Sequence, residues 1–317
     1  MRQAWRERPE AGTVTVIRAS RTLVRLFGRT LSRSFLVLVC AYFLLRRGPE
    51  RRASRNYLSR VLGRRASWYD VGRHFFAFAT TTLDRVYLLT ESFRRFSITV
   101  SGLAELHAAL ESGKGVLLFG SHLGSFDALR VLSLQHPEIA VRIVLDVEQN
   151  PAISDTLNAL HPGLANTIIN ARMAGPALAL AIREALDRNA IVALLADRAR
   201  PGNAMMPAQF LGDAAPFPQA PWLLAAALRT PVFLSFGLYC GGNRYALYFE
   251  RFADSLRIER TARNAELGQI VQRFADRLSH YARMAPFNWF NFYDFWTLPD
   301  ALSASPRDHG GAGRAGA

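Results

Sequence analysis

The chain has 317 residues, half of them hydrophobic and 20% charged, enough for one large domain with a substantial core and an appendage. Its net charge of +14 is unevenly placed: residues 1–73 hold 17 arginines against Glu7, Glu10, Glu50 and Asp70, and the rest of the chain is almost neutral. A neutral body without zinc-finger, helix-turn-helix or RNP spacing speaks against nucleic-acid binding. Cys40 and Cys240, each in an apolar run, offer neither a disulfide framework nor a metal spacing.

At the N-terminal end, Arg21, Arg25, Arg29 and Arg33 recur every four residues, a spacing that puts them on one face of a helix. The run Ser34–Leu45 (SFLVLVCAYFLL) follows, then Arg46, Arg47, Arg51, Arg52 and Arg55. Twelve apolar residues are too few to span a bilayer, which takes about 20. A late start and the absence of a cleavage site argue against a signal peptide. A basic amphipathic helix leading into a short apolar one suits an anionic membrane surface, with arginines among the lipid heads. The competing reading is a helix packed on the main domain with its arginines in water.

Beyond residue 73, short β-branched runs alternate with helical patterns. Strands are expected at Gly115–Gly120, Val141–Asp146, Asn166–Ile169, Ala190–Asp197, Pro231–Tyr239 and Arg244–Phe252. Helices are expected at Leu103–Ser112, Phe126–Gln135, Ala152–Leu160, Pro176–Arg188, Gln219–Arg229 and Arg263–Met284. The alternation predicts an α/β domain, a mixed central sheet covered by helices on both faces. The CGGN turn at Cys240–Asn243 predicts an antiparallel pair within it.

The chemistry concentrates where strand Gly115–Gly120 runs into SHLGSFDALR. His122 and Asp127 are five apart, and none of the other histidines has an Asp at that spacing. The C-terminal end of a buried strand is where ligands bind in open α/β sheets. A histidine can take the proton of an acceptor hydroxyl at neutral pH. A carboxylate on the other ring nitrogen would fix its tautomer. Gly124 and Ser125 open the following helix, so their N–H groups are expected to be free to bind an oxyanion or a phosphate. The competing reading is a strand-capping histidine and an ordinary first-turn Asp. A serine-hydrolase elbow fails because Phe119 stands where its first glycine belongs. A P-loop around Lys114 fails because Ala108 and Gly115 replace its first glycine and its Ser/Thr.

With these residues in view, the chain resembles the lysophospholipid acyltransferase superfamily, in particular the late lipid A acyltransferases of Gram-negative bacteria. The resemblance spans about residues 20–300, in four ordered blocks: GVLLFGSHLGSFDALR, RIVLDVEQNPAISDTLN, ALLADRARPGNAMMPAQFLGDAAPFPQAPWLLAAALRTPVF and APFNWFNFYDFW. The last departs from the "PEQW" ending of the lipid A enzymes and is closer to the branch found with aryl-polyene and related pigment-lipid clusters. The resemblance implies an acyltransferase with no metal and no cofactor. It implies an acyl-carrier-protein or acyl-CoA thioester as donor, a lipid, glycolipid or pigment-lipid acceptor, and a ternary complex rather than an acyl-enzyme. It carries over His122 as general base and Asp127 as its orienting partner. Asp197 and Arg198 fall where donor or acceptor contacts are expected, with a strand-end salt bridge as the alternative. Arg142 is a candidate phosphate ligand or a structural cation. The aromatic run Trp289–Trp296 is open between an acyl channel, a membrane interface and core packing.

The reading divides the chain into a membrane-associated helical segment (residues 1–73), an acyltransferase domain (74–302) and a disordered tail (303–317), placed at the cytoplasmic face of the bacterial inner membrane, peripheral or monotopic. The rival is a membrane-associated lipid-binding protein of the same fold without chemistry.

Overall fold

The computed structural model describes residues 14–88, 94–126, 139–146, 167–198 and 202–297, with the backbone alone for residues 14–27 and 86. The expected helix Ala152–Leu160, the expected helix Phe126–Gln135 beyond its first residue, and the tail from residue 303 lie outside them. In chain order the elements are α1 (Val14–Arg46), α2 (Gly48–Leu62), α3 (Trp68–Leu88), β1 (Ser97–Ser101), α4 (Leu103–Glu111), β2 (Val116–Gly120), β3 (Val141–Leu145) and β4 (Ile168–Asn170). There follow α5 (Gly175–Asp187), β5 (Ile191–Leu195), β6 (Met205–Phe210), β7 (Asp213–Pro218), α6 (Ala220–Leu228), β8 (Val232–Tyr239), β9 (Arg244–Ala253) and α7 (Arg263–Met284).

Seven strands form one mixed sheet in the order β1-β9-β8-β2-β5-β3-β4. All neighbours are parallel except β8 and β9, the antiparallel pair expected around the CGGN turn. Strand side chains alternate between faces, and each face has its own core. Leu117, Phe119, Val192, Leu194, Val232, Leu234 and Phe236 meet α2, α5, α6 and α7 on one side. Val116, Leu118, Ile191, Ala193, Phe233 and Leu247 meet α3 and α4 on the other. All six expected strands are present, with ends shifted by one or two residues.

The reading missed β1, the helix α3, and the separate β6–β7 hairpin. Prolines 207, 216 and 218 masked that hairpin, because proline cannot donate within a ladder. Pro207 and Pro216 instead sit opposite each other, and Leu211 and Gly212 turn the chain with positive φ at both residues.

The N-terminal helices share the core of the domain: Tyr57, Leu58, Val71 and Phe75 pack in the cluster that holds Phe119 and Trp222. The expected boundary at residue 73 falls inside α3. Helix α1 breaks at Gly28 (φ 66°) and resumes at Arg29. The described segment Gly28–Arg46 has 19 residues and a mean hydropathy of 1.4, longer than the twelve-residue run and by length and composition enough to cross a membrane. Two of the four spaced arginines turn inward to protein partners. The Arg29 guanidinium donates to both oxygens of the fully buried Asp84, at 2.7 and 2.8 Å, and to the Gly242 carbonyl at 2.6 Å. The Tyr245 hydroxyl donates to the same carboxylate at 2.8 Å, and Arg33 reaches the Tyr239 hydroxyl at 2.9 Å. These bonds tie α1 to α3 and to the β8–β9 turn.

Removing one member of a buried ion pair strands the other without compensation. Arg29→Ala is therefore expected to cost about 3 kcal/mol of unfolding free energy, read from denaturant melts in one detergent. A change below about 1 kcal/mol, the worth of an exposed pair, would show that Asp84 is satisfied without it.

Candidate active site

His122 and Asp197 meet because two neighbouring parallel strands end together. β2 and β5 are in register with Gly120 opposite Leu195, and the Ala196 N–H donates to the Gly120 carbonyl at 2.9 Å, which carries the pairing one step further. His122 and Asp197 are each two residues beyond that last pair. They therefore stand at the same height on strands about 4.8 Å apart. His122 Nδ1 lies 2.8 Å from Asp197 Oδ1, and the His122 N–H donates to Oδ2 at 3.0 Å.

The carboxylate only accepts, so the proton sits on Nδ1 and the lone pair on Nε2. The ring is a quarter exposed, while Asp197 is fully buried. Burial pushes the Asp197 carboxyl upward. The nearby His122, as charge and as donor, and the Arg198 guanidinium more than offset this and hold it at about 2. It is a carboxylate throughout the physiological range.

A third donor completes the arrangement. The Trp289 indole N–H reaches Asp197 Oδ2 at 3.2 Å. Residues 288–290 run antiparallel to the His122 loop, with Leu123 bridged to Trp289. The Phe290 N–H donates to the His122 carbonyl at 2.9 Å, and the Gly124 N–H donates to the Asn288 carbonyl at 2.8 Å. The Asn288 side chain accepts from the Tyr239 N–H at 2.7 Å and donates to the Tyr239 carbonyl at 3.2 Å, as a strand would.

Gly124 (φ 77°) lies against Gly237 of β8. A Cβ on Gly124 would sit 2.0 Å from the Gly237 carbonyl oxygen, and one on Gly237 2.3 Å from the Ser125 oxygen. Two backbones touch where side chains would otherwise stand.

The expectation of free N–H groups at Gly124 and Ser125 is corrected: Gly124 bonds to Asn288 and Ser125 to the Gly237 carbonyl at 2.7 Å. The reason is that both residues precede the helix and lie on β8 instead of opening the first turn. Arg198 stays close, its Nη2 donating to the Phe290 carbonyl at 2.6 Å and its guanidinium lying 5.4 Å from the Tyr293 ring centre. Arg142 is not brought to the site: it sits in β3, next to β5, opposite Val192, five residues short of Asp197, on the order of 15 Å along the strand. Asp127 lies outside the described residues.

Asn288 and Gly237 are missed from sequence, and Trp289 and Phe290, singled out only as part of the aromatic run, are not foreseen beside His122 and Asp197. A glycine inside β8 is a signal of close backbone approach, but nothing in the chain says which backbone approaches.

Behind the site, His74 is buried between Ser54 and Trp289. Its Nε2 lies 2.9 Å from the Trp289 carbonyl and its Nδ1 2.8 Å from the Ser54 hydroxyl. A carbonyl cannot donate, so Nε2 carries the proton and Nδ1 accepts from Ser54. Burial pulls this histidine down to about 4, against a small opposing pull from the Trp289 carbonyl. The unfolded chain protonates near 6.5 and the folded one near 4. This group's contribution is therefore whole above about pH 6.5 and is lost progressively as the pH falls toward 4, up to about 3 kcal/mol. His74→Gln is expected to flatten the fall of unfolding stability between pH 6.5 and 4.5 by about one proton. An unchanged slope would assign the acid sensitivity to other groups.

The model of the bacterial lipid A biosynthesis acyltransferase family matches residues 7–297. No curated protein matches the chain. A family match over nearly the whole length, laid on this α/β fold, makes the chain a member of the bacterial lipid A biosynthesis acyltransferases, and so an acyltransferase.

Proposed function

We propose that this acyltransferase moves a fatty acyl group from an acyl-carrier-protein or CoA thioester to a hydroxyl, or an amine, of a lipid, glycolipid or pigment-lipid acceptor, with His122 as general base. The observation that carries the reading is the Nδ1 bond to Asp197, which leaves the other nitrogen of a partly exposed histidine as a proton acceptor. The acceptor oxygen attacks the thioester carbonyl while Nε2 takes its proton. The tetrahedral intermediate collapses, the C–S bond breaks, and the thiolate leaves with the proton from the imidazolium. Ionised Asp197 stabilises that imidazolium.

In this reading Asp197 takes the orienting role that spacing alone assigned to Asp127, because an imidazole has a single Nδ1–H to give. Asp127 is kept as a second carboxylate of the site. With the Gly124 and Ser125 N–H groups engaged, Arg198 is the proposed cation for the developing oxyanion or an acceptor phosphate. Ser121 is buried, and its hydroxyl has no partner among the described residues. Its place next to His122 along the strand end directs it to the opposite side, which supports direct transfer without an acyl-enzyme.

Thiol release from acyl-carrier-protein and CoA thioesters, with a whole-lipid extract as acceptor, tests the roles. His122→Ala is expected to lose about 10²–10⁴-fold in kcat without loss of stability, and Asp197→Asn a comparable amount because the tautomer is no longer held. Asp127→Asn is expected to be impaired less. The reverse ranking of the two carboxylates would return the orienting role to Asp127, and a near-normal rate in His122→Ala would end the mechanism.

The same reading places the enzyme on the anionic cytoplasmic face of the inner membrane. Leu31, Phe35, Leu38, Tyr42 and Leu45 are exposed large hydrophobic residues spaced three and four apart, one stripe of α1. A lipid surface accounts for a stripe that the domain leaves uncovered. Replacing Phe35, Leu38 and Leu45 with Glu is expected to move the protein to the soluble fraction with its unfolding midpoint unchanged. Continued sedimentation with membranes would place the anchor elsewhere.

A further inference from the structure

Resting on the His122–Asp197 reading above, we propose that Trp289 is the positioning residue of the transfer: it sets the angle at which the carboxylate meets the imidazole. Two separate parts of the residue act on the two partners. The indole N–H holds Asp197 Oδ2 at 3.2 Å, and the main chain on either side of the ring holds the His122 loop through the Leu123 bridge and the Phe290 N–H.

Oδ2 has two donors, this indole and the His122 N–H. Both hold the carboxylate in one rotation, and that rotation turns Oδ1 toward Nδ1. With the indole gone, a single donor would remain on Oδ2 and the carboxylate could swing about it.

The ring is in a position to act as a rigid strut. Trp289 is fully buried, with Tyr57 and Phe210 at 5.0 Å and Phe295 at 4.9 Å between ring centres. Its carbonyl takes the His74 Nε2–H, and His74 is held in turn by Ser54. A continuous line of bonds therefore runs from α2 and α3 through Trp289 to Asp197 and the base.

The chain carries its own control. Trp222 is also fully buried, against Phe119, Phe252 and Phe274, and among the described residues its indole nitrogen has no partner. Trp289→Phe and Trp222→Phe remove the same atoms from equally buried rings. Only the first removes a donor to the acid.

The experiment measures both variants and His122→Ala by thiol release from lauroyl-acyl-carrier protein and lauroyl-CoA with a whole-lipid acceptor extract. Across pH it yields kcat, KM and the acid limb of the profile. Unfolding midpoints are taken in the same detergent. Trp289→Phe is expected to lose the more stability, because it strips a donor from a buried carboxylate, whereas Trp222→Phe removes an N–H without a partner among the described residues. Trp289→Phe is expected to lose about 10–100-fold in kcat at unchanged KM. Its acid limb is expected to move to higher pH, because a carboxylate with one donor fewer is more basic. Trp222→Phe is expected to keep kcat and the limb within about twofold of wild type, the margin of a remote packing change. Replacement of Trp289 by 3-benzothienylalanine keeps the ring's shape and loses the N–H. It carries the same expectation should the smaller phenyl ring prevent folding.

If His122→Ala is inactive and the Trp289 variants match Trp222→Phe in kcat and limb, the indole does not position the acid and the proposal is overturned, while the base stands. If His122→Ala keeps its rate, the underlying reading fails first and the proposal with it.

Discussion

The site depends on the parallel pairing of β2 with β5. Side chains alternate along a strand, so a slip of one residue between the two would turn His122 and Asp197 to opposite sides. The register is secured well below the site by Leu117, Phe119, Val192 and Leu194, which pack into one face, and by Val116, Leu118, Ile191 and Ala193, which pack into the other. A strand buried on both faces has no solvent side to slip toward. The hydrophobic cores thereby set a polar geometry at the C-terminal ends of two central strands, to which they contribute no polar atom.

A buried carboxylate costs several kcal/mol unless it is paired and hydrogen-bonded. Asp197 has three donor contacts, two from His122 and one from Trp289, with the Arg198 charge nearby. The same contacts that make its burial tolerable also fix the imidazole's tautomer, so stability and chemistry use one set of bonds here. The C-terminal aromatic block is how the chain supplies the last of them. Residues 288–290 return to the beginning of the site after α7 and lie along the His122 loop, with Asn288 holding Tyr239 of β8 and Arg198 holding Phe290. The aromatic run is core packing around Trp289 and Phe295, and it doubles as the clamp on the His122 loop.

The anchoring of α1 points in the same direction. Its two inward arginines bond to Asp84, Tyr239 and Gly242, and the last two lie at the end of β8 that carries the site. The exposed apolar stripe of α1 is therefore attached at the end of the sheet where β2 leads into His122. An enzyme of lipid substrates gains from such an attachment, because the surface that delivers the acceptor also orients the domain.

The sequence alone determined the β-α alternation, the six strands with strong apolar runs, the strand-end position of His122 and the basic apolar N-terminal stretch. Each is a local property: the period of hydrophobic residues, or a charge count over a window. The tertiary structure decided which carboxylate meets Nδ1. Asp127 is near His122 in the chain, whereas Asp197 is 75 residues away and arrives through strand order, which no local pattern encodes. The engaged N–H groups of Gly124 and Ser125, the inward turn of Arg29 and Arg33, and the return of Trp289 have the same origin. Each depends on which distant backbone or side chain fills the space beside a residue, and that is settled when both cores close.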